Sequence, residues 1–323
     1  MSQKNTQKET VSTPAKVYDF CSKKKLILGV VITVLLVFIV GSIVRGIHLA
    51  IEFKGGTLIT YTYQGDINTN DVASTVKDVV DSTVTVRTGE SLDSGGKQLT
   101  ISFTSDQGLT ADRQTELTNA LREKFADNSI EIYDSNDVSP SSGREFLLKC
   151  FIAVLFAAFI VIVYIAIRFR NIGGWSAGVC SIFALCLDLL VAFAATVVCG
   201  FNIDSNIVAV FLTILGYSIN NTIVIYDRIR ENRKLMPKAS LNELINASCT
   251  QSLTRSIRTS ITTIGTMLTV TIVVLVTGYD SLLSFSVPLM MGLISGTFSS
   301  LFVAPVTWSW WKNKSAEKAK NSK

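Results

Sequence analysis

Charged residues are scarce in this chain. They make up 17% of its 323 residues, whereas 48% are hydrophobic. The mean hydropathy is +0.40, on the apolar side of a typical soluble domain. This composition argues against a cytosolic enzyme, and the placement of the apolar residues decides between the remaining classes.

The sequence also lacks the groups from which most catalytic and metal sites are built. It has a single histidine, His48, with no cysteine, histidine or paired carboxylates arranged around it. None of the six cysteines falls between residues 45 and 145, and no metal-ligand spacing or disulfide framework is present. No Walker A or other nucleotide motif occurs. The sequence therefore predicts no metal site and no cofactor.

Six apolar runs are each long enough to cross roughly 30 Å of hydrocarbon at 1.5 Å per residue. They are residues 26–44, 146–167, 178–199, 206–226, 260–278 and 282–311. We predict one transmembrane helix from each. The first is expected to stay uncleaved, because Arg45 follows it without a small-residue cleavage site. Prolines and glycines are expected to break the last run into a tilted span with a short leading segment.

Basic residues are concentrated on one side of these runs. Lysines fill the tails at 1–25 and 312–323, and arginines and lysines follow the second and fourth runs. By the positive-inside rule, both termini are predicted to be cytoplasmic and residues 45–145 to face outward from the membrane. Nucleic-acid binding by the tails is the alternative, and the spans that begin close to each tail argue against it.

The outward segment alternates strand and helix patterns. Strand composition occurs at 57–63, 82–88, 98–104 and 130–133, and helical spacing at 69–80 and 111–125. The order β-α-β-β-α-β predicts a ferredoxin-like α+β domain, with residues 90–97 as the hairpin turn between the middle strands. Nothing in it resembles a nucleophile or a phosphate loop, so we expect a binding or lever domain.

Polar residues inside the apolar runs predict a functional seam, since an intramembrane Asp costs roughly 2.5–3.5 kcal/mol on insertion scales. Asp188 is the only acid deep in any run. Spans three, four and five are expected to meet along one internal polar stripe, formed by Asp188, Asn220, Asn221, Arg255, Arg258 and Thr262. The alternatives are a structural Asp188 bonded to a neighbouring Ser or Thr, and a snorkelling arginine pair.

The link at 227–258 begins with Asp227, Arg228 and Arg230. This charged run is either a functional sequence motif, called the signature below, or a positive-inside anchor with local ion pairs. A capping box at 240–243, followed by apolar residues on one face, predicts a short amphipathic helix on the membrane surface.

Two glycine pairs stand out. Gly55 and Gly56 separate an apolar segment from a strand, where a positive φ or a close backbone approach is needed, as a simple turn or as a hinge. Gly292 and Gly296 form a small-xxx-small pair for helix packing. We expect their face, or the fourth span, to bury against a partner.

Five motifs occur in order along the chain. They are FKGGT at 53–57, VSPSSGRE at 138–145, GYSINNTIVIYDRIREN at 216–232 (starting at Gly216), LTRS at 253–256 with TSITT at 259–263, and GLISGTFSSLFVAP at 292–305. Together they resemble the SecF family, the smaller membrane subunits of bacterial SecD–SecF export complexes in the resistance-nodulation-division superfamily. The resemblance covers residues 17–311.

The resemblance implies late steps of protein export driven by an ion-motive force, with no enzymatic activity. The implied partners are SecD, the Sec channel subunits, a membrane insertase, translocating preproteins and the lipid bilayer. The family usually has Asp where Asn221 stands, paired with the Arg that matches Arg255, and a His where Leu187 stands. Asp188, the intramembrane Asp of SecD, or a sodium ion held by Asn and Thr oxygens would then carry the coupling.

Two other classes remain as alternatives. A stand-alone efflux half-transporter of the same superfamily would need clustered aromatics in the outward domain, where Phe and Tyr are only scattered. An intramembrane enzyme would need paired Asp residues, a Ser with a base, or HExxH, and Asp188 stands alone.

Overall fold

The computed structural model describes residues 17–80, 84–90, 97–103, 109–277 and 280–321. The helices are α1 Lys24–Arg45, α2 Ile51–Lys54, α3 Thr69–Val80, α4 Ala111–Lys124, α5 Pro140–Arg168, α6 Gly174–Cys199, α7 Asn206–Leu235, α8 Leu241–Thr277, α9 Asp280–Phe298 and α10 Ala304–Asn321. The strands are β1 Gly56–Tyr63, β2 Val84–Glu90, β3 Lys97–Phe103 and β4 Glu131–Val138. Within the described residues, six helical segments are long and apolar enough to cross a membrane.

The four strands form one antiparallel sheet in the order β2-β3-β1-β4. Alternate residues of β1 and β3 point to one face, where Ile59, Tyr61 and Ile101 are fully buried against Leu117 and Leu121 of α4. This alternation is what a half-buried strand requires. The predicted hairpin turn at 90–97 lies largely outside the described residues.

The last strand is twice as long as the sequence predicts. We expected it at 130–133, but β4 pairs with β1 along Glu131–Val138, with an irregularity between Thr60 and Tyr61. Its side chains are almost all exposed at the edge of the sheet. Acidic and amide residues are poor strand formers, so the composition of residues 134–138 does not predict a strand. Backbone pairing with β1 nevertheless holds them in the sheet.

Helix α6 lies at the centre of the membrane bundle and contacts α1, α5, α7, α9 and α10. Small residues make this possible. A β-carbon added to Gly174 would overlap the carbonyl oxygen of Ala166 on α5, and Ala177 and Ala192 are fully buried. Close approach through small residues is the usual way in which helices associate in lipid.

The fifth span differs from the prediction. Instead of a short surface helix and a separate span, α8 is one helix of 37 residues. The capping box does begin it, because the Ser240 amide donates to Glu243 Oε2 (2.8 Å) and the Glu243 amide to Ser240 Oγ (3.3 Å). No proline or glycine follows before Gly265, so the helix continues, and Leu244 and Ile245 pack into the bundle.

The sixth span is also continuous. Pro288 lies inside α9 without breaking it, and a π-helical turn at Ser299–Val303 joins α9 to α10. Pro305 has no N–H to donate to the carbonyl of Leu301, four residues earlier. The Cys249 thiol lies 3.7 Å from that oxygen and donates to it. A local π-turn is a common way to accommodate such a missing bond.

The sheet joins the bundle where two backbone segments touch. Gly55 has φ +87°, and a β-carbon on it would lie 2.6 Å from Pro140 Cα. A β-carbon on Gly143 would lie 2.9 Å from the carbonyl oxygen of Phe53. Gly55 therefore has both a positive φ and a close backbone contact, while its role as a hinge stays a prediction.

Candidate functional site

The carboxylate of Asp188 forms the centre of the candidate site. It is 0% exposed on α6, and it is the only buried acidic side chain among the described residues. Three hydroxyls donate to it: Ser218 (2.7 Å) and Ser299 (2.7 Å) to Oδ2, and Ser295 (2.6 Å) to Oδ1. These donors come from α7, the π-turn and α9, so the carboxylate links α6 to those three segments.

The local sequence explains this convergence. Ser295 and Ser299 are four residues apart and share one face of the helix. Gly296 lies between them, and a β-carbon there would be 3.6 Å from Asp188 Oδ2 and 3.2 Å from Ser218 Cβ. A larger residue at Gly296 would push α9 away from the carboxylate.

A second hydroxyl cluster lies on the neighbouring helices. Tyr217 Oη donates to Ser260 Oγ (2.9 Å), and Thr297 Oγ1 donates to the same oxygen (2.7 Å). This cluster joins α7, α8 and α9. Sequence reasoning considered a neighbouring Ser or Thr bonded to Asp188, which agrees with these contacts, but it did not identify which serines or the second cluster.

The predicted polar seam is divided in the structure. Asn221 is 3% exposed, and its Nδ2 has no hydrogen-bond partner among the described residues. Asn220, Arg255, Arg258 and Thr262 are instead exposed on the surface of this chain. The expectation that one internal stripe unites spans three, four and five is therefore corrected, because the partners of Asp188 come from α7, α9 and the π-turn.

The threonines of α8 can face outward because each hydroxyl donates to a backbone carbonyl of the same helix. Thr262 Oγ1 donates to the carbonyl of Thr259 (2.8 Å), and Thr266 Oγ1 donates to that of Thr262 (3.0 Å). A hydroxyl bonded to its own helix leaves no unpaired donor in an apolar surround. Spacing alone cannot reveal this.

The signature residues form ion pairs at the end of α7. Asp227 pairs with Arg168 (3.0 Å) and Arg230 (2.8 Å), while Arg228 pairs with Glu231 (2.6 Å). Exposed pairs of this kind each contribute little to stability. Gly216 of the same motif has no atom within 4 Å of the place where a β-carbon would be.

The small-xxx-small pair packs within the chain. A β-carbon on Gly292 would overlap Ile214 Cδ1 and lie 2.8 Å from its Cγ1, and Ala192 Cβ would be 3.4 Å away. The neighbours on this face are therefore α7 and α6 of the same chain. We expected this face or the fourth span to bury against a partner. The first of these is corrected, because the face of Gly292 and Gly296 is filled by the chain's own helices.

The N-terminal end of α7 is tied to the segment before the sheet. Glu52 Oε2 accepts from the Ser205 amide (2.9 Å), and the Ala50 amide donates to the Ile203 carbonyl (2.9 Å). Asp204 Oδ1 accepts from the Asn206 amide (3.0 Å). Burial raises the pKa of Asp204, and the bond from Asn206 opposes that shift. Among the described residues, no three His, Cys, Asp or Glu side chains are grouped to hold a metal.

Two family models match the chain. Residues 117–314, more than half of it, match the model described as "Protein export membrane protein SecD/SecF, C-terminal". Residues 40–67, which include Gly55 and Gly56, match the model described as "SecD/SecF GG Motif".

Named relatives and a solved structure agree with these models. The chain is 34% identical to "Protein translocase subunit SecF" of Alicyclobacillus acidocaldarius, over 85% of this chain and 86% of that protein. It is 30% identical to "Protein translocase subunit SecDF" of Bacillus subtilis, over 95% of this chain but only 40% of that protein's length. The crystal structure of SecDF from Thermus thermophilus, titled a translocon-associated membrane protein, superposes with a TM-score of 0.75 at 25% identity, over 93% of this chain and 39% of that one.

Proposed function

The chain belongs to the SecF family, and on that basis we propose that it is the SecF-type subunit of a bacterial protein-export complex. The family matches cover the last five spans and the GG segment. The relatives are named as translocase subunits, which is a transport role and not a catalytic one. No feature of the described residues favours a stand-alone efflux function.

We propose a SecD-type protein as the partner. This chain matches 40% of the fused SecDF protein, and a separate SecD-type subunit would supply what the fused relatives carry in the remainder. Its helices would cover the small and polar faces of α7 and α8, where Gly216, Asn220, Arg255 and Thr262 are exposed. Such residues are typical of helix interfaces in membranes.

The proposed topology places both termini in the cytoplasm and the sheet on the outer face of the cell membrane. The charge asymmetry supports it. The outer unit would be a ferredoxin-like domain, because its strands follow the order β2-β3-β1-β4 with α3 and α4 as the crossovers. The Sec channel subunits, a membrane insertase and the emerging preprotein would be its contacts.

We also propose that Asp188 helps to couple ion movement to export. The single observation that supports this is the set of three hydroxyls around its carboxylate. Two carboxylate and three hydroxyl oxygens meet there, contributed by α6, α7, α9 and the π-turn. A proton on the carboxylate would change which groups donate, and a sodium ion would recruit the same oxygens as ligands. Either event would alter the bonds that hold these helices together.

Export of a reporter precursor into inverted membrane vesicles tests this proposal. Asp188→Asn should reduce gradient-driven export to the level seen without a gradient, since a neutral amide does not titrate and supplies no negative charge to balance a bound cation. Asp204→Asn makes the same chemical change outside the spans and serves as the matched control, with export retained.

Full activity of Asp188→Asn under both proton and sodium gradients would remove Asp188 from the mechanism and leave the SecD-type partner as the ion carrier. Equal export by vesicles that lack this chain would refute the export function itself.

A further inference from the structure

The chain crosses one face of α8 before it enters α1. Residues 18–21, which we call the strap, bond through their backbone to side chains at the start of α8. Asn246 Oδ1 accepts from the amides of Phe20 (2.9 Å) and Cys21 (3.1 Å). Thr250 Oγ1, one turn further along α8, accepts from the first amide of the strap (3.1 Å). The strap is therefore attached to α8 by side-chain hydrogen bonds.

The strap lies on the face of α8 opposite to the one assigned to the SecD-type partner. Asn246 and Arg255 both belong to the uninterrupted helix α8 and are nine residues apart. At 3.6 residues per turn this separation is two and a half turns, so the two side chains leave the helix in opposite directions. The contacts of the strap are made within this chain, on a side that the proposed partner does not cover.

Two side chains of the strap are buried against the bundle. Phe20 is 4% exposed and Cys21 is 5% exposed. The ring centroid of Phe20 lies 5.1 Å from that of Phe302 in the π-turn, and Phe302 in turn stacks on Phe298 at 5.0 Å. The strap therefore joins the start of α8 to the π-turn that follows α9.

The same π-turn supports the Asp188 site. Its first residue, Ser299, donates to Asp188 Oδ2 (2.7 Å), and Phe302 contacts the strap three residues later. The carbonyl of Leu301 in this turn accepts from the thiol of Cys249, which is a weak donor. Single π-turns within α-helices frequently lie at functional sites. A shift of this short, weakly bonded turn would move the contacts at Asp188 and at the strap together.

We propose that the strap is a latch whose closure depends on the Asp188 site and is transmitted by the π-turn. While Ser299 is bonded to Asp188, the turn holds Phe302 against Phe20 and the strap stays on α8. Loss of that bond loosens the turn and opens the strap, which releases the start of α8 from the π-turn. The inference rests on the proposed role of Asp188, but opening of the strap is measured on the purified chain without export, so either proposal can fail alone.

The thiol of Cys21 reports opening of the strap. Burial in the closed strap blocks access to this thiol and raises its pKa, so it reacts mainly when the strap opens. The experiment uses the full-length chain in detergent with Cys21 as its only cysteine, and Cys249→Ser preserves the donor to the π-turn. The measured quantity is the rate of labelling by a maleimide.

Asn246→Ala tests whether the strap is a latch at all. It removes three hydrogen bonds, two to backbone amides and one to Asp19, and each such bond changes an equilibrium by about fivefold. The labelling rate of Cys21 should rise by about tenfold or more. Asn313→Ala removes an exposed amide of α10 that bonds to Asn242 instead, and should change the rate by less than about twofold. An unchanged rate in Asn246→Ala would overturn the latch.

Ser299→Ala tests the link to Asp188. It removes the bond to the carboxylate and should raise the labelling rate of Cys21 by about threefold or more. Ser300→Ala removes the neighbouring buried hydroxyl, which donates to the carbonyl of Thr297 (3.2 Å), and should change the rate by less than about 1.5-fold. Equal rates in these two variants would refute the link.

A double-mutant cycle with Phe302→Leu separates transmission through the turn from a general loss of folding. Once the ring contact with Phe20 is gone, Ser299→Ala should change the rate by less than about 1.5-fold, because the two substitutions interrupt the same connection. Effects that multiply independently in the double variant would show that the turn does not carry the coupling and would overturn the proposal.

Discussion

The contact between Gly292 and α7 gives the sharpest test of the packing. Gly292→Ala adds a methyl group that overlaps Ile214 Cδ1 and lies 2.8 Å from Cγ1. Ile214 is fully buried, and Val210, Leu289 and Leu293 belong to the same buried cluster, so its side chain has little space to move.

The expected cost follows from two opposing effects. Overpacking a filled core costs about 1–3 kcal/mol. Replacing a helical glycine by alanine returns about 0.5–1 kcal/mol. We therefore expect Gly292→Ala to lower the free energy of unfolding by about 1–2 kcal/mol. Gly265→Ala, with no atom within 4 Å of the added carbon, should be neutral or stabilising.

Unfolding in mixed micelles with increasing SDS, followed by circular dichroism, measures these differences. Ile214→Val removes Cδ1, so the double variant should be more stable than the sum of the single effects predicts. If Gly292→Ala is as stable as Gly265→Ala, or if Ile214→Val brings no relief, the close approach of α9 and α7 is wrong.

Three further predictions concern the topology, the junction and the seam. In a chain without its own cysteines, Ser135→Cys should react with an impermeant thiol reagent on intact cells and Lys314→Cys should not; reversed labelling would overturn the orientation. Gly55→Ala should cost at least about 2 kcal/mol in unfolding free energy, because its φ is positive and Pro140 is in the way, whereas Gly89→Ala should stay within about 0.5 kcal/mol. Asn221→Asp removes an unpaired buried donor and restores a titratable group, so export in vesicles should persist with greater dependence on the proton gradient; loss of export would contradict this.

The sequence was most informative where one physical property dominates. Apolar length alone located the six long apolar helices of the described residues, since few other structures produce such runs. Alternation located β1, but it could not locate the second half of β4, where Asp134 and Asp137 are exposed and only backbone pairing keeps the strand. The unbroken course of α8 was missed because a capping box indicates where a helix begins and not where it ends.

The sequence predicts the central acid of the candidate site but not the identity of its hydrogen-bond partners. Asp188 stood out because an acid deep in an apolar run is expensive. Its partners Ser218, Ser295 and Ser299 did not, because serine is common in membrane helices and periodicity does not reveal which helices meet. The outward orientation of Thr262 was equally hidden, since its hydroxyl is satisfied by its own backbone.

Helix α7 has 30 residues and contains no proline, so it is one uninterrupted helix about 45 Å long. One end adjoins Ser205, which is tied to Glu52; Ser218 is attached to Asp188; and Lys234 is near the other end. The distances along the axis from Ser218 are about 20 Å and about 24 Å. A tilt of roughly 3° about Ser218 would displace the Ser205 end by about 1 Å and the Lys234 end by slightly more, in the opposite direction. Any tilt of α7 about Ser218 therefore moves the contacts at Ser205 and the charged residues near Lys234 together, in opposite directions.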